Sequence, residues 1–283
     1  ITFIVAGALP FAEGKRQKKQ SHEEELIDIE DSLDVNSAPR KNYNGFVAEP
    51  SIPLDNDIKE HLESFRNKAA VLAKKYPNNF ITCLPTSERL VALTFDDGPD
   101  NTTTPDIIDI LDRYSVPATF FFIGENINKF PHICDKAISS GHQIANHSFS
   151  HARPTDISVE EMLNEFERCD NLLDKILNQS TKYVRPPYGL VTEKQLASLE
   201  DKGFNVIGWS IDSMDWYTDD RNEIIECVID TIHPGAIVLM HSTGGSNNRK
   251  STIEALPIII ETLQGQNYSF VTIAQLHESK SRP

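Results

Sequence analysis

In LTFDDGPD (93–100), two adjacent carboxylates, Asp96 and Asp97, follow an apolar run and precede Gly98 and Pro99. Asp and Gly disfavour strands and favour turns, so VALTF reads as a buried strand and DDGP as the turn that ends it. Neighbouring carboxylates repel each other, and water or a bound cation offsets that repulsion. HSFSH (147–151) adds two imidazoles, His147 and His151, four residues apart. Two His and one carboxylate form a common ligand set for a divalent metal with open positions, and Asp97 is the candidate carboxylate. On its own, H-x-x-x-H reads as readily as two surface histidines. An open-site metal lowers the pKa of its water to about 7. A base is then wanted beside it, and Asp96 is adjacent. The plainer reading of Asp96 is a turn residue that accepts backbone amides.

Three later stretches carry further candidates. RPPYG (185–189) sets Arg185 before a double proline and Tyr188. Proline fixes φ, so the Tyr188 amide is held in one direction and would serve as an oxyanion donor beside a metal. The alternative is a structural loop with a surface arginine. WSIDSMDW (209–216) holds two carboxylates and two indoles, and indoles stack on apolar faces such as sugar rings while donating through N–H. AIVLMHS (236–242) ends a very apolar run in His241. Near a carboxylate such a histidine becomes an acid of raised pKa; alone it is a rim residue.

These residues must be positioned by the elements around them. From about Glu88, apolar runs alternate with amphipathic stretches. The runs are 90–95, 118–124, 143–147, 182–187, 205–211, 236–241 and 268–273. Helices are expected over 105–114, 125–140, 158–177, 192–202, 221–232 and 252–263, and an earlier one over 57–75. This alternation predicts βαβ units and an α/β fold with about seven parallel strands, as a (β/α) barrel or an open doubly wound sheet. Asp96, Asp97, His147, His151, Arg185, Asp212 and His241 all fall at or just after the C-terminal ends of predicted strands, where such folds place their sites. Convergence of five strand ends favours a barrel mouth.

The 283-residue chain is acidic, with 42 Asp+Glu against 27 Lys+Arg and a net charge of −15. That excludes non-specific nucleic-acid binding, which needs basic patches, and no protein partner is predicted. Residues 1–12 read as a signal-peptide or anchor remnant and 13–55 as a polar linker. Residues 56–87 read as a helical lead-in, 88–276 as the catalytic domain and 277–283 as a tail. A secreted or envelope-associated location follows from this reading of the N-terminus. Cys83, Cys134, Cys169 and Cys227 are scattered without zinc-cluster spacing, and buried thiols are the expectation.

With five segments in this order, the chain resembles the polysaccharide deacetylases of the NodB-homology family. TFDDGP, H-S-x-x-H, R-P-P-Y-G, D-x-x-D-W and I-V-L-x-H correspond to that family's motifs, spanning Thr94 to His241 within a similarity over 88–276. The pattern of WSIDSMDW and of the region after His241 is most similar to bacterial cell-wall members. The resemblance implies a deformed (β/α) barrel and metal-dependent removal of acetate from an N-acetylated glycan. Peptidoglycan N-acetylglucosamine is the first choice, and chitin or chito-oligosaccharides the second. It implies that Asp97, His147 and His151 hold the metal: zinc, with cobalt, nickel or manganese also suited. Asp96 is implied as base, Arg185 as its orienting partner, the Tyr188 amide as oxyanion donor and His241 as acid, tuned by Asp212. Pro187, Trp216 and Leu239 are implied at the substrate. A two-His, one-carboxylate iron oxygenase would use the same ligands on an all-β pattern, which the alternation opposes. A non-catalytic carbohydrate-binding relative predicts loss of Asp96 or His241, and both are present.

Overall fold

The computed structural model describes residues 47–177, 181–245 and 247–279. The expected signal-peptide remnant, residues 13–46 of the linker and residues 280–283 of the tail lie outside the described residues. Along the chain come α1 (Asn56–Lys75), β1 (Phe80–Ile81), β2 (Leu90–Asp96), α2 (Thr103–Tyr114), β3 (Thr119–Phe122), α3 (Gly124–Lys129) and α4 (Pro131–Ser139). Next are β4 (Gln143–Asn146), α5 (Val159–Leu177), β5 (Tyr183–Val184), α6 (Glu193–Asp201), β6 (Asn205–Ile207) and β7 (Ile211–Asp212). The last elements are α7 (Arg221–Ile229), β8 (Ala236–His241), α8 (Lys250–Gly265), β9 (Ser269–Phe270) and α9 (Ile273–Ser279).

Period-two alternation builds the sheet. Val91, Leu93 and Phe95 of β2, Phe120 and Phe122 of β3, and Val238 and Met240 of β8 pack in one apolar cluster with α2 and α8. Their sequence neighbours Ala92, Phe121, Ile237 and Leu239 pack in another. Asp96 has the parity of Ala92, and His241 that of Ile237 and Leu239, so both belong to the second face. Each fully buried large apolar side chain contributes about 1.5–3 kcal/mol, enough to hold this parity against a one-residue slip.

The strand order is β1-β6-β5-β4-β3-β2-β8-β7, with β9 also on β2, and the paired strands are parallel. One stretch of chain curls this sheet towards closure. Gly208 N donates to Ile81 O at 2.8 Å and Ser210 N to Ile237 O at 3.0 Å. Residues 205–212 therefore bond the β1 side through β6 and the β8 side through β7. The result is the expected deformed (β/α) barrel, and a parallel sheet flanked by helices is incompatible with the all-β iron-oxygenase reading.

Several boundaries differ from expectation. The run 205–211, expected as one strand, is two, because Gly208 to Ser210 change bonding partners. The helix expected over 125–140 divides at Phe130, where φ −132° and ψ 51° leave the helical region; the residue before a proline disfavours it. Phe80–Ile81, too short a run to stand out in the sequence, joins the sheet ahead of Glu88 because β6 offers it a partner. The four cysteines are buried and no disulfide joins them; burial pushes the Cys134 and Cys227 thiols up to about 12. Among the described residues no helix is long and apolar enough to cross a membrane.

Gly235 anchors the entry to β8. Its φ is +77°, its N–H donates to Leu90 O at 2.8 Å, and its carbonyl accepts from Leu84 N at 3.0 Å. A Cβ there would overlap the Leu84 carbonyl oxygen. Gly235→Ala is expected to cost at least about 1–2 kcal/mol from the left-handed backbone alone, more with the overlap. The melting temperature should fall by several degrees; an unchanged melt would show that this contact does not constrain the fold.

Candidate active site

The C-terminal ends of β2, β4, β5, β7 and β8 deliver the expected residues to one place. Asp97 follows β2 at φ +73°, a conformation uncommon for a residue with a Cβ. It is held by Asn126 Nδ2, which donates to its carbonyl at 2.8 Å. His147 leaves β4 with its N–H bonded to Phe122 O at 3.0 Å. The loop then turns through Ser148 (φ 64°) to His151 (φ 60°), with Ser148 N on Asn146 Oδ1 at 2.9 Å and His151 N on Ser148 Oγ at 3.1 Å.

That loop brings both imidazoles to Asp97. His147 Nε2 lies 3.4 Å and His151 Nε2 3.2 Å from Asp97 Oδ1, and the three residues offer ligand atoms all within 4.8 Å of one another. His147 Nδ1 is 2.7 Å from Arg185 O. A carbonyl only accepts, so Nδ1 carries a proton, and on binding a cation Nε2 would be the nitrogen that presents its lone pair. Burial alone would raise the Asp97 pKa, but the two imidazoles outweigh it and hold the carboxylate well below its usual range. An ionised carboxylate and two imidazole nitrogens fit a borderline divalent cation.

Asp96 stands beside this cluster, its Oδ2 at 3.7 Å from His147 Nε2. Its Oδ1 accepts from Arg185 at 2.7 Å. Arg185 is 0% exposed, and its remaining donors reach Thr94 Oγ1 at 2.8 Å, Ile207 O at 3.1 Å and Gly208 O at 3.0 Å. It is thus a buried clamp on Asp96, not a surface residue. Pro187 is buried, and the turn after it sets Tyr188 at φ 61°. Tyr188 is 54% exposed, and its ring lies 4.9 Å from the His151 ring. Gly189 lies against Trp209 and Phe65 so closely that a Cβ would collide with the Trp209 ring.

His241 ends β8 in register with Asp96. Its carboxylate partner is not Asp212, as expected, but Asp215. Asp215 Oδ1 lies 2.6 Å from His241 Nδ1 and its Oδ2 accepts the His241 N–H at 2.9 Å. Thr252 Oγ1 bonds the same Oδ2 at 3.0 Å. Asp212 instead accepts from Met214 N at 2.9 Å and Trp216 Nε1 at 3.1 Å. The reason is the turn: Met214 adopts φ 60°, which sends Asp215 back to β8 and leaves Asp212 to brace the turn and the indole. Burial pushes Asp212 up to about 6. Leu239 is buried, in register with Asp212.

Sequence reading also missed the supports. Asp100 Oδ1 accepts from Thr102 N and Thr104 N, at 3.1 and 2.9 Å, and its Oδ2 from Thr243 Oγ1 at 2.9 Å. Ser242 donates to Asp96 O through N at 2.9 Å and Oγ at 3.1 Å. Arg249 donates to Asp215 O at 2.6 Å. The D-x-x-D spacing was the available signal for Asp215; for Asp100, Ser242 and Arg249 only tertiary contact shows the part they play.

Burial opposes charging His241, yet the Asp215 charge and hydrogen bond outweigh it and raise the pKa. A raised pKa keeps the imidazolium to higher pH, and it is lost as pH rises through that value. Asp215→Asn should therefore lower the pKa of His241, read by NMR titration of its imidazole. The corresponding test of Asp212→Asn separates the two carboxylates: an equal shift from Asp212→Asn, with none from Asp215→Asn, would reverse the assignment.

A family model described as polysaccharide deacetylase matches residues 84–207. A peptidoglycan-N-acetylglucosamine deacetylase of Bacillus cereus is 37% identical over 199 residues, covering 70% of this chain and 72% of its own. A chitooligosaccharide deacetylase of Bradyrhizobium is 33% identical, covering 67% and 91%. The crystal structure of the Bc1960 peptidoglycan N-acetylglucosamine deacetylase, with a bound N-hydroxybenzamide, superposes with a TM-score of 0.69. It is 34% identical and covers 72% of this chain and 94% of that one.

Proposed function

Because the chain belongs to the polysaccharide deacetylase family, we propose that it is a metal-dependent hydrolase that removes acetyl groups from N-acetylglucosamine residues of a cell-wall polysaccharide, peptidoglycan foremost. The observation that carries this reading is the meeting of Asp97, His147 and His151 with a clamped carboxylate, Asp96, and a carboxylate-paired imidazole, His241. A cell-envelope or secreted location accords with such a polymer. Chitin or chito-oligosaccharides are the second reading, supported by the similarity to a chitooligosaccharide deacetylase.

Asp97, His147 and His151 would hold a divalent ion, zinc by preference and otherwise cobalt, nickel or manganese, which when bound would polarise the acetamide carbonyl and acidify water. The chain's own groups do the rest. Arg185 occupies Asp96 Oδ1, so Oδ2 is the oxygen that takes the proton of the attacking water. The Tyr188 N–H, fixed by its left-handed backbone, would donate to the oxygen of the tetrahedral intermediate. With Nδ1 committed to Asp215, His241 has Nε2 with which to protonate the departing amine. Pro187, Leu239 and Trp216 form the wall for the acetyl methyl, the indole being oriented by Asp212.

Asp96→Asn should retain metal, by elemental analysis, and lose about 10²- to 10⁴-fold in kcat; near-normal acetate release would overturn the assignment of the base. Purified protein should release acetate from peptidoglycan faster than from chitin oligomers, stop on chelation and recover on zinc readdition. Persistence of full activity in chelator would refute metal dependence, and a preference for chitin oligomers would select the second reading.

A further inference from the structure

The loop that carries both histidines is short and strained, and much of what holds it lies outside the groups assigned above. Ser148 and His151 adopt φ 64° and 60°, a costly region for residues with side chains. His147 is fixed through its ring, by Nδ1 on Arg185 O. His151 is placed through its backbone, by its N–H on Ser148 Oγ at 3.1 Å and by the chain that leads to it. The place of this second imidazole therefore depends on what fixes residues 148–150.

Two helices fix them. The first amides of α3 take two carbonyls: Gly124 N donates to Ser148 O at 3.0 Å and Glu125 N to Phe149 O at 2.9 Å. A helix start leaves such donors without an internal partner. The other ties come from α5. Buried Asn146 donates to Phe166 O at 2.9 Å, and its amide oxygen accepts from Ser148 N at 2.9 Å. Beside Phe166, Glu165 accepts both donors of Ser150 on one oxygen, the N–H at 2.6 Å and the hydroxyl at 2.7 Å. Its other oxygen lies 3.3 Å from Arg168 Nη1, and that guanidinium carbon is 3.7 Å from the centroid of the Phe149 ring. Glu165 is buried, and a carboxylate taken out of water needs donors to match it. Ser150 and Arg168 supply them, so the burial of Glu165 and the conformation of the loop form one arrangement. Bonds to a charged acceptor are about twice as strong as neutral ones.

We propose that Glu165 is a positioning residue for the metal centre: by accepting the Ser150 N–H and hydroxyl together, it holds the loop in the turn that brings His151 Nε2 to 3.2 Å from Asp97 Oδ1. The inference rests on the metal-dependent reading and extends it to α5. Without this acceptor the strained turn at His151 loses a tie, and other loop conformations compete with the one that gathers the three ligands. Only the gathered fraction of molecules binds an ion well, so the apparent Kd rises as that fraction falls.

The test is the zinc Kd of the full chain, read by competition with a chromophoric chelator. Glu165→Ala should raise Kd about 10-fold, within the range seen when outer partners of metal ligands are removed. Glu165→Gln, whose amide oxygen still accepts, should recover part of the loss. Ser150→Ala keeps the N–H bond and should raise Kd by less, with no further rise in the Glu165→Ala background. Glu167→Gln removes a charge from the same helix, one paired with Lys202 at 2.7 Å, and should leave Kd unchanged. Three results would each overturn the proposal: an unchanged Kd in Glu165→Ala, an equal Ser150→Ala effect with and without Glu165, or a loss in Glu167→Gln matching that in Glu165→Ala. The last would reduce the effect to net charge. Zinc-free melts show which variants fold. If Glu165→Ala does not, Ser150→Ala is compared in the wild-type and Glu165→Gln backgrounds, and its effect should shrink in the second; an equal effect there overturns the proposal too. Wild-type protein that takes up no zinc sinks the metal-dependent reading and this inference with it, whereas zinc uptake with one Kd across all variants sinks the role of Glu165 alone.

Discussion

A guanidinium sealed inside an apolar barrel is the constraint on which the site depends. Removing an ion of this size from water costs several kcal/mol even after relaxation, and only a full set of partners offsets it. Arg185 has such a set: the Asp96 carboxylate, the Thr94 hydroxyl and the carbonyls of Ile207 and Gly208, with the Phe121 ring 4.1 Å from its carbon. These partners come from β2, the end of β6 and the turn beyond it. The same contacts that satisfy the charge therefore join the strands and fix one oxygen of Asp96, leaving the other for chemistry. Because the Arg185 carbonyl also accepts from His147 Nδ1, this one residue sets both the orientation of Asp96 and the tautomer of His147.

The second feature is backbone strain placed where function needs it. Asp97, His151, Tyr188 and Met214 all have φ near +60° to +73°, a region that costs energy for residues with side chains. Each is held by its surroundings: Asp97 by Asn126, His151 by Ser148, Tyr188 between buried Pro187 and a glycine pressed on Trp209, and Met214 by Asp212. The apolar strands beneath supply the stability that sustains these turns. The turns in turn bring the Asp97 carboxylate and the His147 and His151 imidazoles together, while the Met214 turn sends Asp215 to His241. Catalytic geometry thus sits on loops, and rigidity comes from the sheet.

The acid side shows how one turn reallocates roles between similar groups. Asp212 and Asp215 are three residues apart, both buried and both close to His241. Asp215 receives the imidazole, the His241 amide and Thr252, and it stays ionised because His241 and Arg249 outweigh its burial. Asp212 has backbone and indole donors but a smaller share of positive charge, and its pKa rises. A carboxylate that remains charged supports an imidazolium; one that tends to neutrality serves as a brace for Trp216.

Much of this was legible in the chain as written. Alternating apolar runs specified a parallel sheet, because strands buried on both faces and joined by amphipathic helices have no other stable arrangement. Polar residues at the ends of those runs, Asp96, Asp97, His147, His151 and His241, marked the site, since a carboxylate or imidazole terminating a buried strand has nowhere else to go. What linear order does not encode is which distant group satisfies which. That Asp215 and not Asp212 meets His241, that residues 205–212 split to bridge the two sides of the barrel, and that Arg185 is interior were decided by the left-handed turn at Met214, by hydrogen-bond partners on other strands and by the charge of Asp96. These are pairwise energies between residues tens of positions apart, and they exist only once the barrel has formed.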